Sequence, residues 1–253
     1  IPLMKLRFAS PSALVDINRI QGLDTISEDD GFLSIGALVR HADCEASPAL
    51  QGRYGVLGDA APQISDPIVR NRGTVVGSLA HADPQGDWGS ALMAAGARRE
   101  VASSGGTRTI PLNELFQGPF TTSLQPNEIA TAVQVRDPGP SAGGTYLKLE
   151  RKVGDYATVG VAVHLSFDNG TVGRAGMGEE GRIEVQAQFP LCGPGHPVAE
   201  MLRSNGVAIC RPAVELTVED LFPGTEIALP LGNCHHDFAP HDLPLHVRVR
   251  IVF

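Results

Sequence analysis

The sequence lacks the residues that would make it a metal ribbon, a basic nucleic-acid binder or a membrane span. Its four cysteines, Cys44, Cys192, Cys210 and Cys234, lie far apart and form no C-x-x-C pair, so neither a zinc ribbon nor an iron–sulfur ligand set is expected within the chain. Basic residues are outnumbered, 20 Lys and Arg against 28 Asp and Glu, for a net charge of −8. Without clustered Lys or Arg there is no broad electrostatic footprint for nucleic acid or an anionic membrane. No run approaches the roughly 18 consecutive apolar residues of a membrane span. The start lacks the charged, apolar and small-residue succession of a secretory signal. No Ser-His-Asp set, carboxylate pair or H-E-x-x-H stands out, so hydrolysis has no support. These deficits point to a cytoplasmic protein in a reducing compartment. The opening Ile1-Pro2-Leu3-Met4-Lys5 carries no initiating methionine, and the expectation is that the natural N-terminus lies upstream.

What is present suffices for a core: 253 residues, 42% hydrophobic, allow two domains of ordinary size. Ala13–Ile17 and Gly31–Gly36 read as strands, with an acidic turn at Ser27–Asp30 before the second. From Arg40 to Ile64, Ala and Leu fall at helical spacing, with Asp43 or Ser47 as caps and Pro62 as a stop. Arg98–Val101 and Thr107–Leu112 flank Ser103-Ser104-Gly105-Gly106 as a hairpin, and Ile129–Val135 alternates as a strand. The Pro- and Gly-rich Asp137–Gly144 reads as a linker. Beyond it come strands at Thr145–Leu149 and Thr158–Phe167, and a hairpin turn at Asp168-Asn169-Gly170. After about residue 176 no period persists, and only Val198–Leu202 and Val214–Leu221 offer short amphipathic stretches.

The most unusual stretch is Ile64–Trp88, ISDPIVRNRGTVVGSLAHADPQGDW. Gly73 and Gly77 allow close approach of a ligand to the backbone, and the neighbouring amides with the Thr74 and Ser78 hydroxyls form a donor surface suited to phosphate. A surface turn that happens to contain glycine is the bland alternative, since short glycine motifs match often by chance. Arg70 and Arg72 suit either a phosphate or an ion pair with Asp66. The expected place of Trp88 is between a helix and a sheet, that of His164 a strand interior. Cys234-His235-His236 with His241 and His246 is a weak metal motif without a known spacing.

Three motifs in order, IPLMKLRFASPSALVDINRI, IVRNRGTVVGSLAHADPQGDW and YLKLERKVGDYATVGVAV, resemble the FAD-binding medium subunit of the molybdenum hydroxylases, the group that includes carbon monoxide dehydrogenase and xanthine dehydrogenase. The resemblance covers about residues 1–175. It implies an α+β fold: a two-lobed, PCMH-like FAD-binding region over residues 1–140, lacking its first strand–helix–strand unit of about 30 residues, and a small antiparallel C-terminal domain over 141–253. It implies FAD contacts from Thr74, Val75, Val76, Gly77 and Ser78 to the phosphates and ribityl chain, and from Asp83 and Asp87 to hydroxyls. Ala130 would be an apolar flavin contact, with Lys148 near the ring or phosphate and Tyr156 facing the ring. It also implies a hetero-oligomer with a molybdenum-cofactor large subunit and a [2Fe–2S] small subunit, in which electrons pass through FAD to NAD or a quinone. No catalytic side chain is then needed, because the flavin carries the redox chemistry. A flavin-free scaffold and an inactive fragment are the alternatives.

Two departures from the family pattern stand out. Val76 occupies a place where the family carries glycine; a β-branched residue disfavours φ > 0, so a weakening of FAD binding by about 1–2 kcal/mol is expected. The tail from MGEEGRIEVQAQFPLCGPGHPVAEM onward matches none of the family's C-terminal pattern.

Overall fold

The computed structural model describes residues 2–168, 171–180, 184–188 and 248–252. In chain order its elements are α1 (Pro2–Lys5), β1 (Ile26–Asp29), β2 (Phe32–Gly36), α2 (His41–Ala46), α3 (Gly55–Ala60), α4 (Pro67–Arg70), α5 (Val75–His81) and α6 (Asp87–Ala94). Then follow β3 (Arg98–Ser103), β4 (Gly106–Pro111), α7 (Leu112–Leu115), β5 (Phe116–Gly118), β6 (Thr121–Thr122) and β7 (Ile129–Arg136). The last are β8 (Ala142–Leu149), β9 (Val159–Asp168), β10 (Thr171–Glu180), β11 (Glu184–Gln188) and β12 (Arg248–Val252). This mixture of helix and strand is the α+β class expected.

Alternation, broken in β7 where Ala132 and Val133 are both buried, builds the first sheet. Leu33 and Ile35 of β2, Val101 of β3 and Val133 and Val135 of β7 turn inward, the period of two that a strand with one buried face requires. The sheet is antiparallel with strand order β1-β2-β7-β3-β4. A second antiparallel sheet has the order β10-β9-β8, and β11 pairs with β12. Helices connect the two main sheets: α5 packs on β2 and β7, α6 on β9 and β10, and α3 on β8 and on α6. One apolar cluster therefore runs from Leu33 and Val133, through Trp88, Ala91 and Leu92 of α6, to Tyr146 and Ala162 of the second sheet.

Several local expectations hold: the hairpin of β3 and β4, the strand at Ile129, the strands within β8 and β9, and the hairpin of β9 and β10. Others are corrected. Ala13–Ile17 forms no strand; its apolar Leu14 and Val15 remain exposed, and no sheet edge accepts the segment. Ile26–Asp29 is itself a strand, and the turn is Asp30-Gly31, with φ of +48° and +74°. The helical stretch after Arg40 is broken by Pro48, Gly52 and Pro62 into α2, α3 and short 3-10 turns. Its first cap is reciprocal, the Arg40 amide donating to Asp43 Oδ2 at 2.8 Å.

The linker reading fails at its end, because Gly143 and Gly144 lie inside β8. A Cβ on Gly144 would lie 2.5 Å from Val163 O and 3.0 Å from Val56 Cβ. Glycine there lets α3 settle onto the sheet rather than loosening the chain. The Cys234-His235-His236 cluster and the two short amphipathic stretches of the tail lie outside the described residues, as do Asn169 and Gly170. Among the described residues no helix is long and apolar enough to cross a membrane and no group of His, Cys, Asp and Glu is arranged to hold a metal ion.

His164, on β9, is buried with no hydrogen-bond partner on either ring nitrogen among the described residues. Burial, reinforced by the Arg174 charge, lowers its pKa to about 4. The unfolded chain takes up a proton near pH 6.5 and the folded chain does not until about pH 4, so this contribution to stability is complete above pH 6.5 and is lost as pH falls between the two. His164→Leu is expected to reduce the loss of unfolding free energy between pH 7 and pH 4 by about 3 kcal/mol, read from urea titrations at each pH.

Candidate functional site

The glycine-rich stretch folds as a series of capped helix starts. Asp66 begins α4 by accepting from the Val69 amide at 2.9 Å, with Pro67 in the first turn. Thr74 begins α5 by accepting from the Gly77 amide at 3.1 Å. Both are the short polar caps that satisfy an orphan N–H of the first turn. Gly77 is needed for the second: a Cβ there would lie 2.6 Å from Thr74 Oγ1. Ala82 then closes α5 in the left-handed region, φ +51° and ψ +41°, and Gly86 precedes Asp87 at the start of α6. The chain thus reverses over a few residues and presents its polar groups to one side.

That side is a cleft of about 930 Å³. Its wall includes Ala37, Leu38, Arg40, His41, much of 64–88, Arg99, Leu124, 128–130 and 154–156. Of the residues singled out from sequence, Thr74, Val76, Gly77, Ser78, Asp83, Asp87, Ala130 and Tyr156 line it. Eight residues spread over the chain from 74 to 156 therefore meet at one place. Val75 does not line it; its side chain is fully buried in the core. Nor does Lys148. Tyr156 remains exposed at the rim. Burial, with Asp83 and Asp87 nearby, raises the pKa of its hydroxyl.

Lys148 stands behind the wall. Its ammonium, 1% exposed, donates to Gln63 O at 2.9 Å and to Asp87 Oδ2 at 3.1 Å, with Glu150 Oε2 at 3.4 Å. The Tyr146 hydroxyl donates to Asp87 Oδ1 at 2.6 Å. Burial raises the Asp87 pKa, opposed by the Tyr146 hydrogen bond and by Lys148. A buried carboxylate and ammonium therefore hold each other across the gap between α6 and β8, and the lysine reaches the cleft through Asp87.

The φ > 0 expectation for Val76 is overturned. Val76 lies inside α5 and is absent from the residues with positive φ, so its β-branch meets ordinary helical backbone. The Arg70 reading is settled likewise: its guanidinium pairs with Glu45 at 2.9 Å and donates to Ile64 O and Ser65 O, which fixes the loop. Arg72 lines the cleft, and its carbonyl accepts from Arg40 at 2.5 Å.

Two wall residues escaped the sequence reading. His41 accepts at Nδ1 from Trp88 Nε1–H at 2.9 Å, and a Cβ on Gly73 would lie 2.6 Å from its Nε2. Burial first, then Arg40 and Arg70, lower its pKa to about 4, so it is a neutral ring that holds Trp88 and the loop in register. Arg99 of β3 is fully buried and donates from Nη2 to Val76 O at 2.5 Å. Its Nε and Nη1 have no acceptor among the described residues. No motif signalled either residue, because each becomes a wall residue only when β3 or α2 packs beside α5.

The ion pair sets a test. Lys148→Met leaves the Asp87 charge buried without its cation, and a loss of about 3–5 kcal/mol in urea unfolding at pH 7 is expected. Asp87→Asn combined with Lys148→Met is expected to restore more than half of that loss, which a double-mutant cycle measures.

The family described as the FAD binding domain in molybdopterin dehydrogenase matches residues 1–137. The chain is 41% identical over 172 residues to the carbon monoxide dehydrogenase medium chain of Hydrogenophaga pseudoflava, covering 68% of this chain and 60% of that one. It is 39% identical over 166 residues to the nicotine 6-hydroxylase medium subunit of Paenarthrobacter nicotinovorans, covering 66% and 58%. Among solved structures, carbon monoxide dehydrogenase from Hydrogenophaga pseudoflava superposes with a TM-score of 0.67 at 40% identity, over 71% of this chain and 62% of that one. Quinoline 2-oxidoreductase from Pseudomonas putida 86 gives 0.64 at 33% identity, over 71% and 62%. The chain thus spans about 60% of the length of the carbon monoxide dehydrogenase medium chain that it matches. The fold, the loop and the extent of these matches agree: the chain belongs to the FAD-binding domains of the molybdopterin dehydrogenases.

Proposed function

We propose that the chain is the FAD-carrying electron-transfer subunit of a molybdenum hydroxylase complex. In this reading a molybdenum-cofactor subunit oxidises the substrate, a [2Fe–2S] subunit relays the electrons, and this subunit passes them to NAD or a quinone. The division into an FAD-binding part over 1–140 and a C-terminal part over 141–253 belongs to the same proposal. The observation that carries it is the convergence of the glycine loop, Ala130 and Tyr156 on one cleft, in a chain of a FAD-binding family.

The residues present fit the cofactor. A cleft of about 930 Å³ lies within the range of roughly 300–1,000 Å³ usual for ligand sites. Its wall mixes apolar side chains, Ala37, Leu38, Ile64, Val76 and Ala130, with hydroxyls at Thr74 and Ser78 and carboxylates at Asp83 and Asp87. A large ligand with a flat apolar part, a polyol chain and phosphates needs all three. Arg99, a buried cation with unmatched donors on the same wall, fits an anionic group.

When bound, FAD would supply one- and two-electron redox chemistry; the protein supplies binding, orientation and electrostatics. Thr74 and Ser78 present hydroxyls at the start of α5. Asp83 accepts from the Gln85 amide at 3.0 Å, which orients its carboxylate. Asp87 is held by Tyr146 and Lys148 on the far side, so its position in the wall is fixed before a ligand arrives. Lys148 acts by keeping Asp87 ionised and in place. Tyr156 at the rim would offer an aromatic surface to the flavin and Ala130 a small apolar one.

The test is direct. The purified chain, titrated with FAD, is expected to quench flavin fluorescence at saturation with one flavin per chain; the absence of any flavin binding, alone or with partner subunits, overturns the reading. Photoreduced flavin on the chain is expected to be reoxidised by NAD or by a soluble quinone analogue. Val76→Gly is expected to leave FAD affinity within about twofold, because no backbone strain is relieved, and to lower stability by about 1–3 kcal/mol through helix propensity and lost burial. Urea unfolding with and without FAD separates the two effects.

A further inference from the structure

Arg99 is the one cation of the cleft wall that is fully buried. The described structure gives it no carboxylate: its pKa is lowered to about 10 by burial alone, and no ion pair is formed by its guanidinium among the described residues. It therefore stays charged at neutral pH. A guanidinium in low dielectric without a counter-charge is strongly unfavourable, and native chains keep such groups paired. Its neighbour in sequence shows the contrast. Arg98 points to the other face of β3, where it donates to Gln134 at 2.9 Å and lies over the Phe32 ring at 3.9 Å.

Two features fix where Arg99 is directed. Its backbone is locked in the middle of the large sheet, with Val133 of β7 on one side and Ile110 of β4 on the other. Its Nη2 is tied to the carbonyl of Val76, in the first turn of α5. The N–H groups of Nε and Nη1 are left over, buried and unmatched, at a wall of the cleft. Through Nη2 the guanidinium is bonded to Val76 O, two residues past the Thr74 cap, so a buried cation from β3 stands next to the first turn of α5. Planar donors of this kind match the oxygens of a phosphate.

We infer that Arg99 is a binding residue for the diphosphate of the flavin dinucleotide, supplying from within the sheet a buried positive charge beside the glycine loop. The inference rests on the flavin reading above and adds to it a residue and a selectivity. The diphosphate is the anionic part of FAD; riboflavin has none. Arg99 therefore discriminates among flavins by their phosphates while the apolar wall takes the ring. The bond to Val76 O gives the same side chain a second effect, orienting the first turn of α5 toward the anion.

The experiment uses the full chain, the variants Arg99→Met and Arg99→Lys, and three probes: FAD, riboflavin and inorganic pyrophosphate. Fluorescence titration of Arg99→Met is expected to show FAD binding weakened by roughly ten- to a hundredfold, the scale of charge-assisted hydrogen bonds, with riboflavin affinity unchanged. Arg99→Lys is expected to recover part of the loss, since it restores charge without the planar donors. Pyrophosphate is expected to raise the urea midpoint of the parent and not of Arg99→Met. Without ligand, Arg99→Met is expected to be at least as stable as the parent, because an unpaired buried cation is removed; this separates binding from folding. Equal FAD affinity in parent and Arg99→Met overturns the assignment while leaving the flavin reading intact, and so does an equal loss of FAD and riboflavin. Failure of the parent to bind either flavin overturns the flavin reading, and the pyrophosphate midpoints then decide whether Arg99 is an anion site at all.

Discussion

The buried pair of Asp87 and Lys148 is the interaction on which the site depends. It joins the first turn of α6 to the end of β8, and so couples the glycine loop to the second sheet. A buried ion pair contributes little net stability, because desolvation of both charges offsets most of their attraction. What it contributes here is position. Asp87 has Tyr146 on one oxygen and Lys148 on the other, and few side-chain arrangements satisfy both. The wall of the cleft is thereby set by contacts behind it, and a ligand meets a carboxylate that no longer has conformational freedom to lose.

The same logic runs through the neighbouring groups. His41, kept neutral by burial, holds Trp88 by a ring-to-ring hydrogen bond. Arg70 fastens the loop to Glu45 and to two backbone carbonyls. Thr74 caps α5, and Gly77 makes room for that cap. Several groups in and around the loop, His41, Arg70 and Thr74 among them, are thus spent on their neighbours. In the reading proposed above, a site organised in advance by such contacts would take a ligand whose negative charge matches the buried Arg99.

Legibility followed the range of the interactions. The hairpin of β3 and β4 and the strand β7 are encoded within a few residues, and the sequence shows them; it does not show the starts of α2, α4 and α5, where Arg40 rather than Asp43 or Ser47 precedes α2 and Asp66 and Thr74 cap α4 and α5. Gly143-Gly144 misled because glycine reads as a turn former; only the approach of Val56 to β8 reveals it as a packing residue. Ala13–Ile17 has strand-forming composition and forms no strand, because β-propensity needs a partner edge to act on. Val76 looked strained because a motif position was equated with a backbone angle, whereas the helix around it sets that angle.

From its own residues the chain shows Ile64–Trp88 as a glycine-rich loop with a donor surface, and its resemblance to a flavin-binding family names the kind of ligand such a loop serves; that the loop is built from two short capped helices is a finding of the structure. The sequence also shows no C-x-x-C pair, no cluster of Lys and Arg and no long apolar run. Tertiary structure alone decided that Lys148 serves Asp87 from behind the wall, that His41 holds Trp88, and that Arg99 lies unpaired beside α5. The physical reason is common to all three. A buried charge or ring takes its role from the groups that replace its water, and those groups come from strands and helices tens of residues away, which no local pattern specifies.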